Sequence, residues 1–271
     1  MVMNSPCAVL VLDIGNTRMK WAHVAKNGLT DHADAAYTVP QIPKILGKRW
    51  RTMNPPCQIV VSNVGKAGVA DALSRWTTEN WKLQPEYIAA ENKAWGVTCA
   101  YRDSGTLGPD RWAALIAAHQ KFKGPLCVID CGTAITVDAL ATDGKHLGGL
   151  IIPGIGLMRR TLSRGTGRIG KMPGANTMSA AAQNTWLGRS TQEGVMAGTM
   201  WAAVAFIDRV IADLEAEFQK QITCVLAGGG AQTICPLLAG KAACEPDLVL
   251  QGLAILAGKV NDSPDTSHTG P

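Results

Sequence analysis

DIGNTRMKWA, residues 13–22, follows an apolar run and decides the fold that we predict. The run Val9–Ile14 predicts a strand, Gly15-Asn16-Thr17 predicts a turn, and Met19–Val24 predicts a second strand paired with the first. The pattern returns in the second half of the chain, where DCGTAITVD spans residues 130–138. Two copies of one strand-turn-strand unit favour duplicated lobes over a solenoid of short repeats.

Strand and helix patterns alternate after each copy of this unit. Ile59–Ser62 predicts a strand, and Ala67–Trp76 has the apolar spacing of a helix. The other predicted strands are Leu126–Asp130, Thr136–Ala141, His146–Ile152 and Ile222–Leu226, and the other predicted helices begin at Pro109 or span Ile155–Leu162, Gln192–Gln219 and Asp247–Gly258. This order is typical of an α/β protein with mixed sheets. We expect an N-terminal lobe over residues 1–115, a C-terminal lobe over residues 116–260 and a flexible tail over residues 261–271.

The composition indicates an ordinary globular enzyme. Hydrophobic residues make up 46% and charged residues 17% of the 271 residues, which excludes global disorder. Apolar stretches such as Ala8–Leu12 are far shorter than the ~20 residues of a membrane span, and the N-terminal residues lack a signal-peptide pattern. The net charge of +5 is not accompanied by a nucleic-acid motif. We therefore expect a cytoplasmic protein without a membrane or nucleic-acid partner.

Cysteine and histidine spacing gives no metal signature. The eight cysteines contain no C-x-x-C pair, and the five histidines form no H-x-x-x-H pair. Zinc sites and catalytic metal sites commonly draw their ligands from such pairs. We therefore predict that the cysteines are small buried apolar residues.

The glycine turn of residues 13–17 suits a phosphate. Glycine lets backbone N–H groups approach an anion without an intervening Cβ, Asp13 could orient a hydrated Mg²⁺, and Lys20 could reach phosphate oxygens. An ordinary hairpin turn and a solvated lysine explain the same residues. The second copy, at an equivalent place in the chain, favours the phosphate interpretation.

Leu107-Gly108-Pro109-Asp110-Arg111 places a carboxylate and a guanidinium at a predicted helix start. Asp110 could act as the base for a substrate hydroxyl, and Arg111 could clamp a substrate carboxylate. An acid in a first helical turn also stabilises the helix dipole without any further function. The motif alone does not decide between these two interpretations.

Three other glycine-rich segments are candidates for a ligand-binding turn. Gly148–Gly154 and Gly228–Ala231 each follow a predicted strand and precede a helix, which suits close backbone approach to a ligand or simple packing. Gly165–Lys171 has the G-x-x-x-x-G-K spacing of a P-loop. It lacks the Ser or Thr that should follow, because Met172 stands there and Pro173 obstructs the next helix. We reject it as a nucleotide site.

Five motifs in this order resemble the type III pantothenate kinases. They are DIGNTRMKWA at 13–22, Tyr101 with LGPDRWAALIAA at 107–118, DCGTAITVD at 130–138, GGLIIPG at 148–154 and LGRSTQEGVMAG at 187–198. The resemblance implies membership of the superfamily of acetate and sugar kinases, heat-shock ATPases and actin. It therefore implies two ribonuclease H-like lobes that hold ATP between them, and phosphorylation of pantothenate to 4′-phosphopantothenate in coenzyme A biosynthesis.

The resemblance also implies roles for individual residues. ATP phosphates would be bound by Asp13, Ile14, Gly15, Asn16, Thr17, Arg18, Met19 and Lys20, with a further nucleotide contact from Thr133. Pantothenate would be held by Tyr101, Gly108, Pro109, Asp110, Arg111 and Thr191. Asp110 would accept the hydroxyl proton, and Asp130 would ligate a monovalent cation, K⁺ or NH₄⁺. Mg²⁺ and a homodimer are implied as well.

The chain departs from the family pattern at three places. Ser104 stands where Pro is frequent, Ser190 stands where Asn is common, and the Gly228–Ala231 turn lacks an acid. These departures concern the shape of the pocket and the adenosine contact. Two alternative functions remain open from sequence: another small-molecule kinase of the superfamily, or a regulatory accessory protein affecting transcription, although no helix-turn-helix pattern supports the latter.

Overall fold

The computed structural model describes residues 8–165, 169 and 187–261. Its first sheet has the strand order β3-β2-β1-β4-β5. The strands are β1 (Val9–Ile14), β2 (Arg18–Ala25), β3 (Gly28–Ala36), β4 (Gln58–Asn63) and β5 (Glu86–Tyr87). Strands β1, β2 and β3 form an antiparallel meander, while β4 pairs in parallel with both β1 and β5. The predicted hairpin of residues 9–24 therefore forms the centre of this sheet.

The second sheet repeats the first. A short hairpin, β6 (Lys93–Ala94) and β7 (Val97–Thr98), comes before it in the chain. The sheet contains β8 (Leu126–Cys131), β9 (Ala134–Leu140), β10 (His146–Pro153), β11 (Thr223–Ala227) and β12 (Ala242–Cys244), in the order β10-β9-β8-β11-β12. The directions match those of the first sheet, since β8, β9 and β10 are antiparallel and β11 is parallel to β8 and β12. Two mixed five-stranded sheets confirm the predicted α/β class.

Seven α-helices are described. They are α1 (Ile42–Arg49), α2 (Val69–Trp81), α3 (Pro109–Lys121), α4 (Ile155–Gly165), α5 (Thr191–Phe218), α6 (Ala231–Ile234) and α7 (Leu248–Asn261). Helix α3 begins at the predicted Pro109. Helix α1, which carries Lys44, Lys48 and Arg49, was not among the predicted helices. Its Ile42 and Leu46 are fully buried, so the helix has an apolar side as well.

The described residues divide into two compact units. The first unit takes residues within 1–90, 105–117 and 249–271, and the second unit takes 91–104 and 118–248. The lobes expected at 1–115 and 116–260 stay a prediction. The tail expected at residues 261–271 lies outside the described residues, except for Asn261.

A tryptophan cluster fills the core of the first unit. Trp50 stacks on Trp81 with ring centroids 5.2 Å apart, and Trp21 and Trp76 meet Trp50 edge to face at 5.7 and 5.8 Å. Aromatic pairs in these geometries add to the stabilisation from apolar burial. Leu12 of β1 belongs to the same core. Because side chains alternate along a strand, Asp13 lies on the opposite face of the sheet from this cluster.

Helix α5 supplies the core of the second unit. Its Met200, Ala203, Val204 and Ile207 are buried in one cluster with Ile129 of β8. Among the described helices, α5 alone is long and apolar enough to cross a membrane by length and composition. The apolar composition has a packing explanation, since these four side chains fill a protein core.

Candidate active site

The turn after β1 lies at the carboxyl edge of the first sheet. Strands β1 and β4 are parallel with Ile14 opposite Asn63, so the segments after both strands leave from the same edge. The Gly15 N–H donates to the Arg18 carbonyl at 3.0 Å and closes the turn. Asn16 and Thr17 at its tip are exposed. The polar groups of the tip can therefore meet a ligand.

Lys20 lies directly across from Asp13. The two residues are register partners in β1 and β2, and such cross-strand Cβ atoms are about 4.5–5.5 Å apart. Both side chains are half-buried. Arg18, by contrast, is exposed and forms an ion pair with Asp34 of β3. Lys20 is therefore the better placed of the two cations to add positive charge beside the turn.

Tyr37 and Gly65 hold the turn, and neither was predicted as a site residue. The Tyr37 hydroxyl donates to the Gly15 carbonyl at 2.6 Å. Burial raises the pKa of Tyr37, and the charge of Asp13 raises it further, although a hydrogen bond with the Lys66 backbone acts in the other direction. The phenol is thus a protonated donor. A Cβ on Gly65 would lie 2.5 Å from the Tyr37 oxygen, so a larger residue there would displace the Tyr37 hydroxyl.

Asp110 reaches the same edge through a series of contacts. The Val64 N–H donates to the Ile14 carbonyl at 2.9 Å. A Cβ built on Gly108 would lie 3.8 Å from Val64 Cγ1 and 2.5 Å from Asp110 Oδ1. The loop after β4 therefore joins the glycine turn to the start of α3. The structure brings the predicted phosphate turn and the predicted base together within the first unit.

Arg111 is almost fully buried at the start of α3. It is 7% exposed, and arginine is rarely buried to this degree unless it is paired. The backbone N–H of Arg111 donates to Asp110 Oδ1 at 2.8 Å. The first turn of α3 thus holds the Asp110 carboxylate in a fixed direction.

Asp130 occupies the matching edge of the second sheet. It is the penultimate residue of β8 and pairs with Ala227 of β11. A Cβ on Gly228 would lie 2.7 Å from Asp130 Oδ1, and a Cβ on Gly132 would lie 3.0 Å from it. The carboxylate therefore lies against two glycine backbones. Gly228 also has a φ of +81°, which favours glycine for a second reason.

Two further turns meet the turn after β8. The Gly230 N–H donates to the Cys131 carbonyl at 2.9 Å, and the Gly154 N–H donates to the Thr133 carbonyl at 2.9 Å. The segments predicted from GGLIIPG and GGGA therefore surround Thr133 and Asp130. Packing against this turn accounts for their glycines, since a Cβ on Gly154 would lie 2.3 Å from the Gly132 carbonyl oxygen.

The surroundings of Asp130 fit a hard monovalent cation. A carboxylate and backbone carbonyl oxygens are the donors that such ions prefer, and both are present at this turn. Across residues 8–165, 169 and 187–261, no cluster of three or more His, Cys, Asp or Glu side chains is arranged to hold a metal. A cation at Asp130 would therefore depend on backbone oxygens, water or substrate for its other ligands.

Tyr101 and Thr191 lie at two other places in the second unit. The Tyr101 ring stacks on His146, with centroids 5.9 Å apart and planes 21° apart. Thr191 begins α5, after the N-cap Ser190, whose hydroxyl accepts the Glu193 N–H at 3.2 Å. His146 was not predicted as a site residue, because a search for paired metal ligands does not detect a single buried histidine.

Thr191 lines an apolar cavity of about 610 Å³. The other lining residues come from the end of β10, from α4 and from α5: Pro153, Met158, Thr161, Leu162, Gly194, Val195, Gly198, Thr199 and Ala202. Pro153 directly precedes Gly154, which bonds to Thr133. The cavity thus adjoins the turn that carries Thr133. Of the rejected P-loop segment, only Gly165 and Ile169 belong to the described residues.

Comparison with known proteins gives consistent matches. A family model described as type III pantothenate kinase matches residues 9–213. A type III pantothenate kinase of Nitrosococcus oceani is 40% identical over 254 residues, covering 92% of this chain and 93% of that protein.

Solved structures show the same fold. A protein described as a Baf family transcriptional activator, from Campylobacter jejuni, matches with a TM-score of 0.58 and 20% identity, covering 93% of this chain and 98% of that chain. The ethanolamine utilization protein EutJ from Carboxydothermus hydrogenoformans matches with a TM-score of 0.53 and 12% identity, covering 93% and 90%. At such identities the likeness concerns the fold alone.

Proposed function

The chain belongs to the type III pantothenate kinase family and has the actin-like ATPase fold, and we propose that the two sheet edges described above carry the family's reaction. That reaction is the ATP-dependent phosphorylation of pantothenate, which leads to coenzyme A. The contact series from Ile14 through Val64 and Gly108 to Asp110 supports this assignment most strongly. It sets a carboxylate beside a turn that suits a phosphate.

The segment Asp13–Lys20 binds the phosphates of ATP in this proposal. Phosphoryl transfer depends mainly on alignment and on stabilisation of the transferring charge. Backbone N–H groups of the glycine turn and the Lys20 ammonium supply fixed positive charge. Asp13, half-buried at the entry to the turn, suits the water ligands of Mg²⁺. When bound, Mg²⁺ neutralises phosphate charge.

Asp110 accepts the proton of the pantothenate hydroxyl. Its carboxylate accepts a hydrogen bond from the Arg111 N–H at 2.8 Å, which fixes the direction of the carboxylate at the start of α3. Arg111 pairs with the substrate carboxylate, because a guanidinium matches that group with two parallel hydrogen bonds. Gly108 and Pro109 shape the same loop. The family resemblance assigns contacts with pantothenate to Tyr101 and Thr191 as well.

Asp130 holds a monovalent cation, K⁺ or NH₄⁺, and Thr133 contacts the nucleotide. The cradle of Gly132 and Gly228 around the Asp130 carboxylate supports the cation assignment. Thr133 is half-buried at the tip of the same turn. The cation and the nucleotide contact therefore come from one loop.

We also propose a cytoplasmic homodimer. Strand β10 is an edge strand, and its Leu150 and Ile151 are 48% and 62% exposed. An exposed apolar edge strand invites pairing with another chain. A second copy of this chain would cover these side chains.

An ADP-release assay with pantothenate tests the function directly. The purified protein is incubated with Mg²⁺ and ATP, and either pantothenate or a panel of hexoses is added. We expect turnover with pantothenate only, and a phosphorylated product by mass spectrometry. The Asp110→Asn variant, purified in the same way, controls for a contaminating kinase. Turnover of a sugar without turnover of pantothenate would assign the chain to another activity of the superfamily.

A further inference from the structure

Asp138 and His146 form a buried polar pair in the second unit. His146 Nε2 lies 2.9 Å from Asp138 Oδ1, and the two side chains are 0% and 3% exposed. Burial of ionisable groups is unfavourable unless they are paired, and an apolar pair of similar volume often stabilises a protein equally well. A task other than stability is therefore a reasonable explanation for this pair.

A backbone contact from Ala100 fixes the tautomer of His146. The Ala100 N–H points at His146 Nδ1, with a nitrogen-to-nitrogen distance of 3.4 Å. A backbone amide can only donate, so Nδ1 accepts and the ring proton lies on Nε2, where it is donated to Asp138. The imidazole is thus held from two sides. A carboxylate that orients a histidine in this way is a recurrent device in enzyme sites.

A bulge in β10 turns His146 inward. His146 pairs with Leu140 and Gly148 pairs with Ala139, so the register shifts by one residue between them. Bulges re-aim side chains and often lie beside active sites. Here the shift leaves His146 fully buried while the next residue, Leu147, is 41% exposed.

We propose that Asp138 and His146 are positioning residues that set Tyr101 for pantothenate. The imidazole contacts the Tyr101 ring by stacking and accepts a hydrogen bond from the residue before it. The Tyr101 ring and the backbone of the preceding residue, Ala100, therefore both contact one fixed histidine. The proposal rests on the proposed function, in which Tyr101 contacts the substrate.

His146→Gln is the central variant. A glutamine can retain a donor towards Asp138 and an acceptor towards Ala100, but it removes the ring beneath Tyr101. We expect the KM for pantothenate to rise about tenfold, which is modest for a displaced positioning group. The kcat and the KM for ATP should stay within about twofold of the parent. A purely structural role would lower the melting temperature and the yield without this split.

A double-mutant cycle shows whether the effect passes through Tyr101. In a Tyr101→Leu background, His146→Gln should change the KM for pantothenate less than about twofold, because no tyrosine ring is left to position. Asp138→Asn retains an oxygen acceptor for His146, so its KM for pantothenate should stay near that of the parent. Asp138→Leu removes the acceptor and should raise this KM as His146→Gln does. His119→Gln, whose ring packs on Gly96 and Gly144, is the matched control with an unchanged KM.

The outcomes separate this proposal from the proposed function. A raised KM in Tyr101→Leu with no change in His146→Gln overturns the positioning role alone, as does an equal effect of His146→Gln in both backgrounds. A Tyr101→Leu enzyme with unchanged KM overturns both the substrate role of Tyr101 and this proposal. If His146→Gln does not fold, Asp138→Leu replaces it in the cycle. Nitrogen-15 NMR of the unaltered protein should show Nε2 protonated, and an Nδ1–H tautomer would contradict the arrangement.

Discussion

The turns after β1 and β8 occupy the same place in two sheets of identical strand order, yet they have different neighbours. Six residues separate Asp13 from its cross-strand partner Lys20, and five separate Asp130 from its partner Thr136. The first turn has a lysine and a helix start beside it. The second has a hydroxyl residue and the backbone of Gly228.

In the proposed function, this difference gives the two duplicated strand-turn-strand units two separate tasks. The strand topology places a carboxylate one residue before the end of a central strand in both units. In the proposed function, the residue across from that carboxylate distinguishes the two edges: Lys20 attracts phosphates at the first edge, while Thr136 adds no positive charge beside the cation ligand Asp130. The predictions below test whether the tasks are divided in this way.

Asp110→Asn should have the largest effect. It keeps the shape of the side chain but removes the base, so kcat should fall by on the order of 10²–10⁴ with an unchanged fold. Steady-state kinetics and circular dichroism measure the two quantities. Asp71, an exposed acid in the first turn of α2, offers a control, since Asp71→Asn also removes a negative charge that stabilises a helix dipole. If both variants keep kcat within about threefold of the parent, Asp110 is a structural residue.

Lys20→Met should remove the charge that distinguishes the first edge. Loss of one electrostatic contact to a transferring group costs about 10² in rate, and we expect a loss of that size in kcat/KM for ATP. Lys26→Met, in the exposed turn after β2, controls for the loss of one positive charge. Comparable kinetics for the two variants would show that Lys20 is a solvated lysine.

Arg111→Ala should act on substrate binding. A hydrogen-bonded charge contact is worth roughly 1.5–3 kcal/mol, so the KM for pantothenate should rise about 10- to 100-fold while the KM for ATP changes little. Arg111→Lys keeps the charge without the planar fork and should fall between the parent and the alanine variant. A rise in the KM for ATP of the same size would place Arg111 at the nucleotide instead.

Gly228→Ala should have the smallest catalytic effect and a specific one. Gly228 and Gly124 have φ values of +81° and +85°, so alanine at either position should destabilise the fold by roughly 1–2 kcal/mol. Only at Gly228 would the new Cβ meet Asp130, since nothing lies within 4 Å at Gly124. We expect a lower melting temperature in Gly228→Ala than in Gly124→Ala, because its Cβ also crowds Asp130 and Cys131, and a raised K⁺ requirement in Gly228→Ala alone. An equal K⁺ requirement in both variants would separate Gly228 from the cation.

The central strands and their turns could be predicted because local signals agree there. Val9–Ile14 and the strand from Leu126 combine apolar runs with a following glycine turn, and Pro109 marks the start of α3. The short edge strands β5 and β12 carry less information. β5 has two residues and β12 has three, too few for any period to be recognised, and their pairing depends on a neighbouring strand.

Residues that depend on close approach or on register were missed. Gly65 is needed because Tyr37 comes within 2.5 Å of its would-be Cβ, and that contact joins segments 28 residues apart. His146 reaches Asp138 only through the bulge in β10. A polar residue within the apolar hairpin strand Ala134–Leu140 was the one local hint. The roles assigned from the resemblance, at Asp130 and Thr191 for example, stay predictions until kinetics test them.

K⁺ activation, measured in parallel for the unaltered protein, Asp130→Asn and Lys20→Met, tests the division of tasks most directly. ATP turnover with pantothenate is compared in K⁺ buffer and in Na⁺ buffer at equal ionic strength. We predict that the unaltered protein turns over faster in K⁺ than in Na⁺. Lys20→Met should be slow in both buffers but keep the same ratio of K⁺ to Na⁺ turnover, whereas in Asp130→Asn this ratio should fall to about one. An unaltered protein with full activity in Na⁺ alone, or an equal loss of the ratio in both variants, would contradict the account.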